Sequence, residues 1–333
     1  MIVVAGEALM DLVPSPQEPT LDGALPALLP RRGGGPYNTA VALGRLGSPT
    51  AFCSRVSTDG FGEALLNGLR HGGVDTSLVQ RGGEPTTLAV ATIGPDGSAG
   101  YGFYADGTAD RLFALPTALP EGVRALSLGT CSLVLEPGAS AYEALLRREA
   151  RRGVFTALDP NIRPGLIPDH EAYRARFRSW LPDVALLKVS EEDAGWLAGT
   201  AAGGGEGDGN GDGDRDGDGD AVLAAARGWL DAGPAAIVIT RGGAGLTVLT
   251  AGGRELTVPG ERVTVVDTIG AGDTVNAALL HRLEAHDALS YAAVAALGEK
   301  EWEDILRFAA RAAALTCSRA GAEPPFATEL AAH

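Results

Sequence analysis

Cysteine is sparse in this chain: Cys53, Cys131 and Cys317 are the only three in 333 residues, far apart and with no C-x-x-C pair. So small and odd a set excludes a disulfide frame and a cysteine-built zinc site, and points to reduced thiols. Lysine is scarcer still. Lys188 and Lys300 are the only two and follow Leu187 and Glu299, so the Gly-Lys of a P-loop is missing. G-x-G-x-x-G is also absent, which removes the dinucleotide fingerprint and the protein-kinase glycine loop. No run of eighteen apolar residues occurs, so no membrane-spanning helix is expected. The opening MIVVAGEALMDLV has no basic n-region and reads as a first buried strand rather than a signal peptide. A cytoplasmic location is the expectation. No solenoid-like repeat is present.

Positive charge is in short supply as well. The net charge is −15, and residues 203–220, with seven acids and one arginine, carry −6 of it. Without a basic stripe, neither nucleic acid nor an anionic membrane is an expected partner. The segment 203–220 has no apolar residue and is expected to be a disordered surface loop. Asp208-x-Asn210-x-Asp212-Gly213 opens like a calcium loop, but the twelfth position is Gly219, where a bidentate acid is required.

What is present is an alternation of short apolar runs with longer helical patterns. MIVVAG, AFCSRV, ALSLGT, VFTALD, VALLKVS and AAIVITRG read as strands. Helices are expected near 36–46, 60–72, 138–152, 170–180 and 221–233, and over 270–284, 288–297 and 301–319. This is the signature of βαβ units: an α/β, Rossmann-like, mostly parallel sheet with helices on both faces. Such sheets bind ligands at the strand C-termini. Residues 12–33 and 84–113 break the rhythm with alternation, glycine and aromatics, and a hairpin turn is expected at Pro95–Asp96–Gly97. They are expected to form a small β-sheet lid whose exposed face needs a cover, either ligand or a second subunit. One domain over 1–333 accommodates all of this.

DTIGAGDT, residues 267–274, is the most chemical stretch. One reading is a tight strand-to-helix turn whose acid suits the helix dipole. The other is a phosphate cradle: a strand ends at Val266–Asp267, Gly270 and Gly272 let backbone approach an anion, and first-turn N–H groups aim at it. Asp273 would then take the proton of an attacking hydroxyl. The full stretch TVVDTIGAGDTVNAALLHRL resembles the carboxy-terminal signature of the PfkB, or ribokinase-like, sugar kinases. By that resemblance Asp273 is the catalytic base and Gly270, Ala271 and Gly272 form the anion hole.

The same family's amino-terminal signature has its counterpart in GGGPYNTAVALGRLGSPTAFCSRVSTDGFG, residues 33–62. Gly34 and Gly35 permit close backbone approach to a polyol, and Asn38 serves either a sugar hydroxyl or a helix cap. GEALMD resembles the first strand, which makes Asp11 a diol ligand. VITRGGAGLTVL resembles the nucleotide-side turn and gives Thr240, Gly242 and Gly245 as ATP contacts. Lys188 and Asn276 fall on the same side, and LTCSRAGAE resembles the turn beside the adenine. DPNIRPGL resembles the fructokinase and 2-keto-3-deoxygluconate kinase branch. There Asn161 and Arg163 lie near the acceptor and the transferred phosphate, although an arginine in a surface ion pair is the plainer alternative.

In YGFYADGTAD the resemblance puts Phe103 against the sugar, unless it is simple lid packing. Ala105 occupies the place where keto-acid sugar kinases carry an arginine, which favours a neutral sugar, fructose first. Asp193 in KVSEED stands where relatives have a glutamate that organises magnesium water, so any metal role for it is indirect. The implied cofactors are ATP and Mg2+, with a monovalent cation near Asp267 and a homodimer through the lid both allowed. The same features admit a 2-keto-3-deoxygluconate kinase, ribokinase or nucleoside kinase, or a sugar-binding regulator without catalysis.

Overall fold

Strand β1, Ile2–Ala5, is apolar and buried at all four positions, the pattern of a strand covered on both faces. In the computed structural model, which describes residues 1–15, 27–93, 99–200 and 215–331, β1 lies inside a nine-stranded sheet. After it come β2 (Leu9–Pro14), β3 (Leu28–Gly33), β4 (Thr50–Ser57), β5 (Val79–Gly82), β6 (Leu88–Ile93) and β7 (Ala99–Tyr104). The remaining strands are β8 (Ala125–Gly129), β9 (Phe155–Asp159), β10 (Leu186–Ser190), β11 (Ala236–Thr240), β12 (Leu246–Thr250) and β13 (Glu255–Val258).

The large sheet runs β13-β12-β11-β10-β9-β8-β1-β4-β5. From β11 to β5 every pairing is parallel, and β12 and β13 add an antiparallel edge. The chain leaves β1 toward β4 on one side and later returns to place β8 on the other. A topological switch point therefore lies between β1 and β8, and a ligand crevice is expected beyond their C-terminal ends.

Alternation along β1 feeds two cores. Ile2 and Val4 pack into one, and Val3 and Ala5 into the other. The first core is closed by α1 (Gly35–Arg45), α2 (Gly60–His71) and three C-terminal helices, with Ala277, Ala278, Ala309 and Ala312 allowing close approach. The second is closed by α3 (Gly138–Arg151), α4 (His170–Trp180), α5 (Glu191–Ala198) and α6 (Arg215–Leu230). The C-terminal helices are α7 (Ala271–Ala285), α8 (Tyr291–Ala296) and α9 (Glu299–Cys317).

The β-layer expected over 12–33 and 84–113 exists as a second sheet, β3-β2-β6-β7, and begins earlier, at Leu9. The turn at Pro95–Asp96–Gly97 and the calcium-like stretch 208–213 lie outside the described residues. Two expectations are corrected. The acidic segment is helical from Arg215, so residues 215–220 open α6 rather than continue a loop. Residues 261–267 form no strand. Their backbone bonds to the end of α9 instead, Val266 and Asp267 N–H both donating to Cys317 O at 2.8 and 3.2 Å. Among the described residues no helix is long and apolar enough to cross a membrane.

Candidate active site

Gly270 opens α7 from a left-handed conformation, φ 76°, which costs glycine little. A side chain there would stand 2.6 Å from Ala322 Cβ, so the turn is pressed against the loop that follows α9. Asp267 pins the same junction, its Oδ1 accepting from Ile269 N–H at 3.0 Å and its Oδ2 from Gly321 N–H at 2.8 Å. The Ala271 N–H is directed back to Thr268 O at 3.2 Å. Of the expected Gly270–Gly272 cradle, the free first-turn donors are therefore those of Gly272 and Asp273, which have no intrahelical acceptor.

A buried cation lies under that turn. A Cβ on Gly272 would meet Lys188 Nζ at 2.9 Å, and Nζ itself bonds Asp159 Oδ2 at 2.9 Å. Burial alone would push the Lys188 ammonium down, but Asp159 beside it holds it above its ordinary value. Lys188 stays charged where an incoming phosphate would sit.

Facing α7 across the switch point is the start of α1. Gly34 holds φ 103°, and a side chain there would run into Glu7 O at 2.8 Å. A Cβ on Gly35 would land 2.5 Å from Thr130 Cγ2, 3.1 Å from Asp273 Oδ1 and 3.3 Å from Asn161 Nδ2. Four residues from four separate parts of the chain thus meet within one side chain's width. Asn38 donates from Nδ2 to Asp273 Oδ2 at 2.9 Å. Asp273 is only 7% exposed. Burial pushes its carboxyl up to about 7; the Asn38 bond and the Lys188 and Arg163 charges oppose that rise, and Asp159 adds to it.

The small sheet leans over this centre. Asp11 lies in register with Ala89, and Ala89 with Phe103, so the three share one face. The Asp11 carboxylate covers Gly33, and burial pushes it up to about 6 against the pull of Arg163. Arg163 is anchored through Nη1 on Asn161 Oδ1 at 2.8 Å. Asn161 takes a left-handed φ of 41°, uncommon for a residue with a side chain.

A carboxylate between helix N-termini, a buried cation beneath one of them and a small sheet carrying a second carboxylate together describe a phosphotransfer site. Residues 1–329 match the pfkB family carbohydrate kinase description. The chain belongs to the PfkB family of carbohydrate kinases. It is 40% identical over 303 residues to a fructokinase of Rhizobium leguminosarum bv. trifolii, covering 90% of this chain and 85% of that one. To fructokinase-1 of Oryza sativa subsp. japonica it is 31% identical, over 99% of this chain and 95% of the relative. The crystal structure of fructokinase with bound ATP from Xylella fastidiosa superposes with a TM-score of 0.84 at 26% identity, over 99% and 96% of the two chains.

In this PfkB kinase the remaining expected residues divide into two groups. Thr240 ends β11, and Gly242 and Gly245 follow with φ 51° and 104°. They share the C-terminal sheet edge with Lys188, one strand away. Gly242 and Gly243 have open space where a side chain would be, as a backbone-lined nucleotide bank requires. Asn276 lines the crevice shared by Gly35, Thr130 and Asp273, and Asp193 stands outside it. Asn276 is buried below the turn and donates to Ser127 Oγ at 3.1 Å. Asp193 accepts from Ile162 N–H at 2.8 Å and closes the capping box of α5 with Ser190, so it braces the DPNIR loop. Among the described residues no cluster of three His, Cys, Asp or Glu side chains could hold a metal ion.

Three site residues were not anticipated. Thr130, φ 57°, is held by its hydroxyl on Glu7 and forms the floor opposite Gly35. Asp159 partners Lys188. Tyr101 shares the inner face with Phe103, ring centroids 6.5 Å apart, and feels the Asp11 and Arg163 charges. The first two sit at strand C-termini beside the switch point, which was the available signal. Behind the nucleotide turn, Arg45 at the far end of α1 donates to Pro324 O at 2.7 Å, pairs with Glu323 at 2.8 Å and covers the Phe326 ring at 4.8 Å.

The narrow approach at Gly35 yields a direct expectation. Gly35→Ala places a methyl against Thr130 and Asp273. It should raise the sugar KM about ten- to a hundredfold, the range of an overpacked contact, while calorimetric ATP affinity stays near wild type.

Proposed function

We propose that this PfkB kinase transfers the γ-phosphoryl group of ATP to the 6-hydroxyl of fructose, giving fructose 6-phosphate and ADP. The observation that carries the reading is the position of Asp273: Oδ1 points at the Gly35 backbone, and the free N–H groups of α7 open beside it. In the reaction the sugar O–H proton passes to Asp273 Oδ1 as the oxygen attacks phosphorus. The bond from the γ-phosphorus to the bridging oxygen breaks, and its electron pair leaves with ADP. Charge on the transferred group is met by the Gly272 and Asp273 N–H groups and by Lys188. Arg163 supports the same charge from the sugar side, and Asp11 and Asn161 are the candidates for holding the sugar hydroxyls, under the Tyr101–Phe103 face.

Ala105 brings no cation of its own; its carbonyl accepts from Thr108 Oγ1 at 2.8 Å and from Arg111 Nη1 at 3.2 Å, and that guanidinium is already paired with Asp106, so a neutral sugar suits the site. The relatives named above are fructokinases, and a Vibrio cholerae O395 fructokinase, 25% identical with a TM-score of 0.78, is described in fructose-, ADP- and calcium-bound form. Mg2+ fits as a companion of the ATP phosphates, since the site offers no carboxylate cage; Asp193, already bonded to backbone, would reach it through water. A monovalent cation near Asp267 would share oxygens that already accept the Ile269 and Gly321 N–H groups.

The test is a panel of sugars with ATP and magnesium, reading ADP release and locating the product phosphate by 31P NMR. Fructose should give the highest kcat/KM, with phosphate on the 6-oxygen. A larger value for ribose or a keto-deoxy acid would replace the substrate, and no ADP with any sugar would leave a binding protein.

A further inference from the structure

The bond between Asn38 and Asp273 joins residues 235 positions apart and ties the sugar-side helix to the nucleotide-side helix. Resting on the phosphotransfer reading above, we infer that Asn38 is a positioning residue for the Asp273 base: it fixes which carboxylate oxygen meets the acceptor hydroxyl and keeps that carboxylate ionised.

The geometry gives the two oxygens different surroundings. Oδ2 accepts the Asn38 amide at 2.9 Å, whereas Oδ1 is the oxygen directed at the Gly35 backbone and Asn161. Asn38 is itself immobilised. Its backbone N–H closes the first turn of α1 on Gly34 O at 2.9 Å, it is 8% exposed, and the next residue, Thr39, donates from Oγ1 to Asp273 O at 3.4 Å. An ionised carboxylate only accepts, so the amide presents its NH2 group and favours the charged base over the neutral acid. The charged groups that act on Asp273 come from other elements: Asp159 at the end of β9, Lys188 in β10, and Arg163 beyond β9. Asp159 opposes ionisation and Lys188 and Arg163 favour it. Among the described residues Asn38 is the one side chain that donates a hydrogen bond to this carboxylate.

A residue that only grips the sugar and one that steers the base give different kinetics. Asn38→Ala should move the acid limb of the kcat–pH profile, measured at saturating fructose, upward by about one to two pH units, the worth of a hydrogen bond to a carboxylate. At pH 7 the accompanying loss in kcat is about five- to fiftyfold, with ATP affinity by calorimetry unchanged. Asn38→Asp sets a second carboxylate against the first and should displace the limb further in the same direction. A raised fructose KM with wild-type kcat and an unmoved limb would make Asn38 a sugar contact alone and overturn the inference.

Turnover is not needed for the second readout. The Asp273 carboxyl, followed by 13C NMR in labelled wild type and Asn38→Ala without ligands, should titrate at higher pH in the variant. An unmoved titration overturns the inference even where the kinase reading stands. A moved one upholds the link even if fructose proves to be the wrong acceptor. Thermal melting screens both variants for folding, and Asn38→Ser, which also lacks the amide that donates to Asp273, replaces an alanine variant that does not fold.

Discussion

Asp273→Asn is expected to lower turnover by about two to four orders of magnitude while ATP affinity stays within a few-fold, because the amide keeps the shape of the site and removes only the proton acceptor. Stopped-flow or coupled ADP assays beside calorimetry separate the two. The wild-type pH profile carries the same signature. Burial pushes the Asp273 carboxyl up to about 7, and the base works only when ionised. Activity should therefore fall as pH drops through about 7, far above the range of an ordinary carboxylate. Stability runs the opposite way. A carboxyl whose folded value is raised above its unfolded one binds a proton more readily in the native state, so the native state loses stability as pH rises from about 4 to about 7. Asp273→Asn is free of that penalty and should melt above wild type at pH 8, by a margin that narrows toward pH 5. A variant with near-normal activity would remove the base from its assigned role.

Lys188→Met should be the most damaging change to the fold near the site. Lys188 and Asp159 are both nearly inaccessible, with side chains 4% and 5% exposed. Removing the ammonium leaves a buried carboxylate without its counter-charge, at a cost of about 3–5 kcal/mol. In a chain of this size that is a drop on the order of 5 °C in Tm. Adding Asp159→Asn removes the orphaned charge and should restore most of the melting temperature. It should not restore turnover, because the cation below Gly272 is still missing from the phosphate. Recovery of both in the double variant would show that Lys188 serves the fold alone.

Much of this architecture was written locally in the chain. The six apolar runs became β1, β4, β8, β9, β10 and β11, because strands covered on both faces are apolar at consecutive positions. Their C-terminal ends carry the chemistry, so DPNIR and the end of ALSLGT sit where an α/β sheet should bind. Asp273 and Gly35 stand out because glycine turns at helix starts leave local marks, whereas Asn161 and Arg163 are singled out only by the resemblance of DPNIRPGL to the fructokinase branch. The misses have a common origin. Strand β5 (VQRG) and the edge strand β13 (ELTV) are as short as β1 but are interrupted by polar residues and only partly buried, so no apolar run marks them. The valines before Asp267 alternate like a strand, yet no partner strand lies beside them; Val265 and Val266 remain about 60% exposed.

Partnerships were less legible than positions. Lys188 reaches Asp159 only because β10 is laid beside β9, and Asn38 reaches Asp273 only because α1 and α7 converge over the first core. Asp193 is expected to act on a metal only through water, and its two oxygens are both held by backbone N–H groups, a partnership no local motif announces. Asn276 lies one helical turn beyond Asp273 on the same face, and what could not be read locally is its bond to Ser127, which depends on α7 packing against β8.

Helix α1 has one further consequence. Its leading end carries Gly35, which faces Asp273, Thr130 and Asn161, and its trailing end, through Arg45, grips the segment against which the Gly270 turn rests. The two ligand stations are therefore mounted on a common rigid strut of eleven residues. Whichever molecule arrives first settles that strut for the other, so fructose and ATP should each tighten the other's grip, with equal factors in both directions.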